Sequence, residues 1–215
     1  MKFYGVLSYV WLNPKNIILD NLKDGLIDGI LISSVGYQEN KTYRKWIRRN
    51  KKHIPAIMID HEAWTRFKRG VVWSYTAIKQ IQEWAYHNLN LLGFDDITAI
   101  APDVISNAEL TKEYQEQFYK DFDGETVYPY QGIFVDGPDY LAIPKINLNQ
   151  EYIDQIPKGK YRLHALGVTP NEIPLLVKNE FYSCDCTIDS GGWSQNRIED
   201  FHLSIEKQSK RMPGQ

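Results

Sequence analysis

Eight short apolar runs recur along this chain, and most are followed by a segment with helical periodicity or a helix-capping signal. The predicted strands are Lys2–Leu7, Gly29–Val35, Pro55–Asp60, Ile97–Ile105, Thr126–Gln131, Tyr140–Lys145, Tyr161–Leu166 and Phe181–Asp189. The predicted helices are Pro14–Leu26, Lys41–Lys52, Tyr75–Asn90, Ala108–Phe122, Asn149–Gln155, Pro170–Lys178 and Gln195–Lys210. Strands that alternate with helices pair in parallel, and eight is the number that closes a (β/α)8 barrel. We therefore predict an α/β fold, a compact TIM barrel. An open doubly wound sheet is the alternative, but no glycine-rich phosphate loop follows the first strand.

Length and composition fit a single domain over residues 1–215, with a polar tail at about 207–215. A chain of 215 residues with 43% hydrophobic content can bury one core comfortably. The net charge of -2 gives no overall nucleic-acid signature, so such binding would need a local patch. The first apolar run is broken by Ser8 and ended by Asn13-Pro14, which predicts neither a signal peptide nor a membrane span. We expect a cytoplasmic protein that does not bind membranes.

Polar side chains gather at the predicted C-terminal ends of the strands, where the active sites of TIM barrels lie. The candidates on strands three, four, five, seven and eight are Asp60, Asp103, Gln131, His164, Asp185 and Asp189. A barrel interior favours Val, Ile and Leu, so carboxylates on at least three strands are hard to explain as packing. His164 is most simply a core histidine, but its place in strand seven keeps it among the candidates.

The stretch from Phe181 to Gln195 joins a strand pattern to a glycine turn. Asp185 and Asp189 are evenly spaced, which puts them on one face of a strand, and Trp193 follows the turn at Gly191-Gly192. A carboxylate beside a flat apolar ring suits a sugar or a base. An ordinary turn built from Asp, Ser and Gly explains the same residues equally well.

Carboxylates with one amide, and with Trp64 and Trp193 nearby, can perform two kinds of chemistry. One carboxylate can attack an anomeric carbon while another handles a proton. Carboxylate and amide groups can also recognise the hydrogen-bonding edge of a purine. Metal-dependent hydrolysis is the competing chemistry, since such clusters also bind magnesium or manganese. Zinc fits less well, because few histidines fall at the predicted ends.

Four segments follow one another in the order of known motifs: IMIDHEAW (57–64), APDVISNAELT (101–111), YPYQG (128–132) and LHALGVTPNEIPLLVKNEFYSCDCTIDSGGWS (163–194). In them the chain resembles the tRNA-guanine transglycosylase superfamily, especially its compact phage and bacterial members related to 7-deazaguanine DNA transglycosylases. The motifs span most of the chain after residue 55. The resemblance implies a pentosyl-type glycosyltransferase on a TIM barrel, which exchanges guanine in a nucleic acid for a 7-deazaguanine base through a covalent aspartyl-glycosyl intermediate.

The resemblance also implies roles for individual residues. Asp60 matches the general base. Asp103 and Gln131, with Gly132 after it, match the groups that read the guanine edge, and Trp64 matches the stacking aromatic. The nucleophile is either Asp189, followed by Ser190-Gly191-Gly192-Trp193, or Asp185, followed by Cys186. Asp189 is preferred because a catalytic residue belongs at the end of its strand. Trp193 and His164 complete the predicted substrate-binding set.

The zinc site of the tRNA enzymes has no counterpart here, since Cys184 and Cys186 lie inside the predicted eighth strand. The resemblance therefore implies DNA rather than tRNA as the substrate, with a free 7-deazaguanine as the second substrate and neither metal nor cofactor. His61 and Glu62 stand where the family has small residues, which narrows or recharges the pocket. A homodimer, or a partner in a modification complex, remains open.

One predicted helix and its end carry a run of cations with two aromatic residues among them. The candidate nucleic-acid contacts are Arg44, Lys45, Arg48, Arg49 and Lys52. Such a run is usually a solvated helix face, but a cluster of one sign in a slightly acidic protein suits phosphate contacts. Two further functions stay open: a non-catalytic relative that binds a base or nucleic acid in a DNA-modification complex, and a metal-dependent hydrolase on the same barrel.

Overall fold

Parallel strands form the centre of the molecule. The computed structural model describes residues 2–7 and 14–179 and the backbone of 187–190. The strands are β1 Lys2–Leu7, β2 Gly29–Ser33, β3 Ala56–Asp60, β4 Asp96–Ile100, β5 Glu125–Pro129, β6 Tyr140–Pro144, β7 Arg162–Leu166 and β8 Thr187–Ser190. Each strand pairs in parallel with the next, and β8 also pairs with β1, so that the sheet curls into a barrel. The predicted α/β class with parallel strands is confirmed.

Helices follow most of the strands. The α-helices are α1 Pro14–Lys23, α2 Ser34–Glu39, α3 Lys41–Asn50, α4 Ala63–Lys68, α5 Tyr75–Leu91, α6 Ala108–Asp121, α7 Gln150–Ile153 and α8 Ile173–Lys178. Short 3-10 helices cover Lys51–His53, Lys145–Asn147 and Pro170–Glu172. No helix joins β5 to β6, as the sequence predicts. The predicted helix Gln195–Lys210 lies outside the described residues. None of the helices in the described ranges is both long and apolar enough to cross a bilayer.

Two helices are absent from the sequence prediction, α2 and α4. The apolar run of β2 leads into Ser33 and Ser34, and the prediction extends the strand to Val35. The structure ends β2 at Ser33, whose side chain accepts a hydrogen bond from the Gly36 N–H and so caps α2. Strand four is also shorter than predicted, because the chain leaves the sheet before Pro102. Asp103 therefore lies in a loop beyond β4.

Two buried clusters hold the sheet in place. One joins strand residues to the helices around them and includes Tyr37, Tyr43 and Phe118. The other consists almost entirely of strand residues, among them Leu31 and Met58. Side chains alternate between the two faces of a strand, so these strands bury both faces, and each fully buried large side chain contributes roughly 1.5–3 kcal/mol. A sheet covered on both sides leaves its strand ends as the places where polar groups can meet.

The C-terminal turn of helix α3 and helix α4 lie at opposite ends of the barrel. The 3-10 helix Lys51–His53 follows α3 and leads into β3, which begins at Ala56. Helix α4 begins three residues after β3 ends at Asp60. The C-terminal turn of α3 thus lies at the end of the barrel where strands begin. Helix α4 lies at the end where they finish, which we call the mouth.

Candidate functional site

Asp60 is the last residue of β3 and stands half-buried at the mouth. Its Oδ1 accepts a hydrogen bond from the Glu62 N–H at 2.9 Å. Glu62 has a φ of 64°, a left-handed conformation that few residues other than glycine adopt, and this turn passes the chain from the strand into α4. Burial raises the pKa of the Asp60 carboxyl, although His61 and the Glu62 N–H act in the opposite direction. The strand end thus holds a carboxyl group that accepts a proton more readily than an ordinary aspartate.

A fully buried histidine connects β3 with the next strand end. Nη2 of Arg66 contacts Nδ1 of His61, and Nε2 of the same ring lies 3.1 Å from Oδ1 of Asp103. A guanidinium group can only donate, so Nδ1 must be unprotonated and the ring proton must sit on Nε2. His61 therefore donates to Asp103. The backbone N–H of Asp103 also lies 3.2 Å from Nε2, but it cannot donate to this nitrogen while the ring proton is there.

Side chains of neighbouring helices fix the loop that carries Asp103. The buried Nε2 of Gln82, on α5, donates at 2.6 Å to the carbonyl of Ile100, the last residue of β4. The hydroxyl of Thr111, on α6, accepts from the Val104 N–H at 2.9 Å and lies 3.1 Å from the Val104 carbonyl. Asp103 is thus held from both sides and needs little reorganisation to bind a ligand.

Gln131 brings the end of β5 into the same group. Its Nε2 donates to Oδ2 of Asp103 at 2.9 Å. Its Oε1 faces Nδ2 of Asn147 at 3.5 Å, and this nitrogen also lies 3.2 Å from the hydroxyl of Tyr152. Gly132 follows in a left-handed conformation, φ 96°, and a Cβ atom built there would lie 3.8 Å from the Tyr152 hydroxyl, an ordinary van der Waals contact. The contacts fix which end of the Gln131 amide points at Asp103.

Arg66 supplies the positive charge of the site. Its side chain is only 7% exposed, and its guanidinium lies 4.4 Å from the centre of the Trp73 ring. Burial lowers its pKa, and the carboxylates of Asp60, Asp103 and Glu62 act in the opposite direction. Within the described part of the chain, Nη1 of Arg66 has no hydrogen-bond partner. A buried donor without a partner is costly, and a bound acceptor would remove that cost.

The structure brings together three of the predicted site residues, Asp60, Asp103 and Gln131. Trp64 is 49% exposed on α4, where it stacks on Phe67 with 5.7 Å between ring centres. His164 lies fully buried in the middle of β7, with its ring edge-on to Tyr4. Of the candidate nucleophiles, Asp189 is in β8, opposite Tyr4 in the strand register. Asp185 and Trp193 lie outside the described residues.

The predicted nucleic-acid contacts lie on α3 and after it. Lys45, Arg48, Arg49 and Lys52 are exposed, as expected of a solvated helix face. Arg44 is half-buried, where its Nη1 donates to the Tyr37 carbonyl at 2.7 Å and its guanidinium lies over the Trp84 ring. Since α3 leads into the start of β3, Arg48, Arg49 and Lys52 lie towards the end of the barrel opposite Asp60.

Two members of the site were missed from the sequence, Arg66 and Asn147. Arg66 lies two residues beyond the motif IMIDHEAW (57–64), in a stretch for which the sequence predicts no helix, and its spacing of five residues from His61 brings the two together because α4 begins at Ala63. Asn147 ends a 3-10 helix directly after β6, so its position after a predicted strand end is a signal that could have found it. No group of three or more His, Cys, Asp and Glu side chains in the described ranges is arranged to hold a metal ion.

Comparisons with known proteins support the fold. No family model matches the chain, and no curated protein matches it. A crystal structure of KGPDC from Streptococcus mutans is similar, with a TM-score of 0.51 and 15% identity, over 100% of both chains. A protein assigned to the dihydrodipicolinate synthase family, from Coccidioides immitis, is similar with a TM-score of 0.50 and 11% identity, over 99% of this chain and 78% of the other. Both neighbours are TIM barrels, and at these identities the likeness concerns the fold alone.

Proposed function

We propose that this chain is an enzyme that exchanges guanine in a nucleic acid, DNA in preference to tRNA, for a free 7-deazaguanine base. One observation carries the proposal. The Asp103 carboxylate and the Gln131 amide are joined side by side at the mouth, next to Asp60, a half-buried carboxyl group of raised pKa. Acceptor and donor groups in that order complement the hydrogen-bonding edge of a guanine, and Asp60 can serve as its proton partner.

The base would be recognised by replacing contacts that the protein makes with itself. Asp103 accepts from the N1–H and the exocyclic N2–H of guanine, and the Gln131 Nε2 donates to O6. His61 and Asn147 keep the two reading groups oriented, through their contacts with Asp103 Oδ1 and Gln131 Oε1. The unpartnered Nη1 of Arg66 is available to an acceptor atom of the ligand. A site built for these bonds rejects a purine that lacks the amino group, because the carboxylate then loses a donor.

The reaction is a double displacement. A carboxylate oxygen of Asp189 attacks C1′ of the nucleotide, the C1′–N9 bond breaks, and its electron pair leaves on N9 of guanine. Protonated Asp60 gives its proton to the departing base. The resulting Asp60 carboxylate takes the N9 proton of the incoming 7-deazaguanine. That nitrogen then attacks C1′ and releases Asp189. A carboxyl of raised pKa suits a group that must give a proton and then take one.

We choose Asp189 as the nucleophile on the position of β8. The strand runs from Thr187 to Ser190, so Asp189 is its next-to-last residue, whereas Asp185 precedes its first residue. The substrate-facing ends of parallel strands are their C-terminal ends. We further propose that the chain forms a complete single-domain (β/α)8 barrel.

The test uses the purified full-length protein with single-stranded DNA, duplex DNA and tRNA, each carrying radiolabelled guanine. A free 7-deazaguanine is added and label release is followed. We expect release from DNA, a loss of at least about 1000-fold in Asp189→Ala, and little change in Asp185→Ala, which serves as the matched control. Trapping of a denaturation-resistant DNA–protein adduct in the wild type would identify the covalent intermediate.

Three results would count against the proposal or part of it. Release abolished in Asp185→Ala but not in Asp189→Ala would reassign the nucleophile. Folded wild-type protein that binds nucleic acid without releasing label would support the non-catalytic relative. Hydrolysis that stops when a chelator is added would support a metal-dependent hydrolase instead.

A further inference from the structure

The first turns after β3 expose an aromatic and cationic surface at the mouth. We define the α4 platform as Trp64, Phe67, Lys68, Arg69 and Val72. Trp64, Phe67 and Val72 are 49%, 46% and 65% exposed, and Lys68 and Arg69 are also exposed. Large apolar side chains exposed together commonly mark a binding surface. The segment 63–72 holds three cations and no acidic residue.

The side chains of the α4 platform are arranged in layers. The rings of Trp64 and Phe67 lie nearly parallel, with 5.7 Å between their centres and 24° between their planes. The ammonium of Lys68 lies 5.6 Å from the centre of the Trp64 ring. Flat rings with cations beside them are the surface on which the bases and phosphates of a single strand are bound. Double-stranded DNA offers no free base face to such rings.

Arg66 ties the α4 platform to the site. It lies on α4 between the two exposed rings, but its own side chain is buried against Trp73 and contacts His61. His61 in turn contacts Asp103. A rigid helix therefore joins the exposed rings to the groups at the mouth. By contrast, Arg48, Arg49 and Lys52 lie towards the opposite end of the barrel.

We propose that the α4 platform binds the single-stranded nucleotides that flank the base held at the mouth. Trp64 and Phe67 stack with flanking bases, while Lys68 and Arg69 neutralise the adjacent phosphates. This inference rests on the proposed function, since it takes a nucleic acid as the substrate of the same site. It explains why Trp64 packs on Phe67 at the surface, and it predicts that the substrate is unpaired around the target base.

The experiment measures binding of the full-length protein to a fluorescently labelled single-stranded DNA of mixed sequence, over a series of salt concentrations. Lys68→Glu/Arg69→Glu should weaken binding at least about tenfold and lower the slope of log K against log salt by roughly 1.4, the contribution of two phosphates. Trp64→Ala/Phe67→Ala should weaken it roughly tenfold or more, with a nearly unchanged slope. Unfolding midpoints are measured alongside, since all four side chains are exposed.

Two matched charge reversals test whether the loss of affinity is specific to the α4 platform or follows from the change in net charge alone. Lys158→Glu/Lys160→Glu changes the charge by the same amount on exposed residues before β7, at the end away from the mouth, and should bind as the wild type does. Arg48→Glu/Arg49→Glu tests the rival surface on α3. An affinity loss in either that equals the loss in Lys68→Glu/Arg69→Glu overturns the proposal. So does a dimer that dissociates in Trp64→Ala/Phe67→Ala, since the rings would then be a contact between two copies.

The binding and exchange measurements can each overturn one proposal and leave the other standing. If the platform variants lose affinity while even the wild type exchanges no base, the α4 platform stands and the exchange reaction is wrong. If the wild type exchanges guanine and the platform variants bind and exchange as it does, the reaction stands and the platform is wrong.

Discussion

The two ends of the barrel use charge in different ways. Where the strands begin, Arg162 pairs with Glu125 at 2.7 Å and lies 3.8 Å from Asp139 and 4.4 Å from the centre of the Tyr140 ring. The Arg162 and Glu125 side chains are partly exposed and that of Asp139 is exposed, whereas Tyr140 is buried. Where the strands finish, Arg66 is buried among carboxylates, and one of its nitrogens has no hydrogen-bond partner within the described residues.

The contrast indicates which end serves the stability of the fold and which end serves the binding of a ligand. Solvated pairs at a rim cost little to form and add little, whereas a buried carboxyl of raised pKa and an unpartnered donor both cost free energy. Left-handed backbone at Glu62 and at Ser106 adds strain on the same side. Features that cost stability and gather at one end of a barrel indicate a functional site, and each variant below tests that contrast.

The largest effect is expected for Asp60→Asn. Loss of the proton-transfer group should lower base exchange roughly 100- to 10,000-fold. Asn cannot be charged, so the variant should also be more stable than the wild type at neutral pH. The raised pKa of Asp60 favours the folded state at low pH, and this contribution is lost as pH rises from the ordinary value of 3.8 through the raised one. The stability difference should therefore grow over that range in urea unfolding. A variant that is less stable at neutral pH would assign Asp60 to the scaffold.

The second largest effect is expected for Arg66→Met, and it concerns stability rather than activity. It removes the buried countercharge of Asp60 and Asp103 and leaves Nδ1 of His61 without its donor, so the free energy of unfolding should fall by roughly 3 kcal/mol. Arg66→Lys keeps the charge and should recover part of the loss. Thermal and urea unfolding measure both. Equal losses in Arg66→Met and in Arg162→Met, at the other end of the barrel, would contradict the contrast between the two ends.

Gln131→Glu should have an intermediate effect, which concerns the affinity for the ligand. A second carboxylate beside Asp103 repels it and removes the donor proposed for O6. We expect the affinity for free guanine to fall by about 1–3 kcal/mol, measured by calorimetry. Asn147→Ala, which only loosens the amide, should cost less. Unchanged guanine affinity in both variants would remove Gln131 from the recognition of the base.

Arg162→Ala should have the smallest effect. The pair with Glu125 is partly exposed, so its loss should cost about 1 kcal/mol or less and matter less at high salt. Base exchange should be unchanged, since Arg162 is the first residue of β7, far along the strand from the mouth. A drop in exchange without a drop in stability would show that the two ends are coupled.

Sequence periodicity located β1 to β7, because a barrel strand must bury apolar side chains at nearly every position, although it extended strands two and four too far. Most of the predicted strand Phe181–Asp189 lies outside the described residues. Periodicity also brought Asp60, Asp103 and Gln131 to one edge, since parallel strands end together. It could not show α4, because that helix starts from a left-handed Glu62, a conformation that propensity does not predict for glutamate. Without α4, Arg66 has no reason to meet His61. The cations of α3 were interpreted by charge alone, although their place just before β3 already assigns the last of them to the other end.

The pairing of β8 with β1 has a consequence for how the protein is made. Lys2 is aligned with Thr187, and Tyr4 with Asp189, so β1 pairs with a strand that is synthesised after β2 to β7. During translation, one edge of β1 stays uncovered until seven further strands have been made. Until β8 has been made, this edge can pair with a strand of another chain, so an incomplete chain is at risk of aggregation.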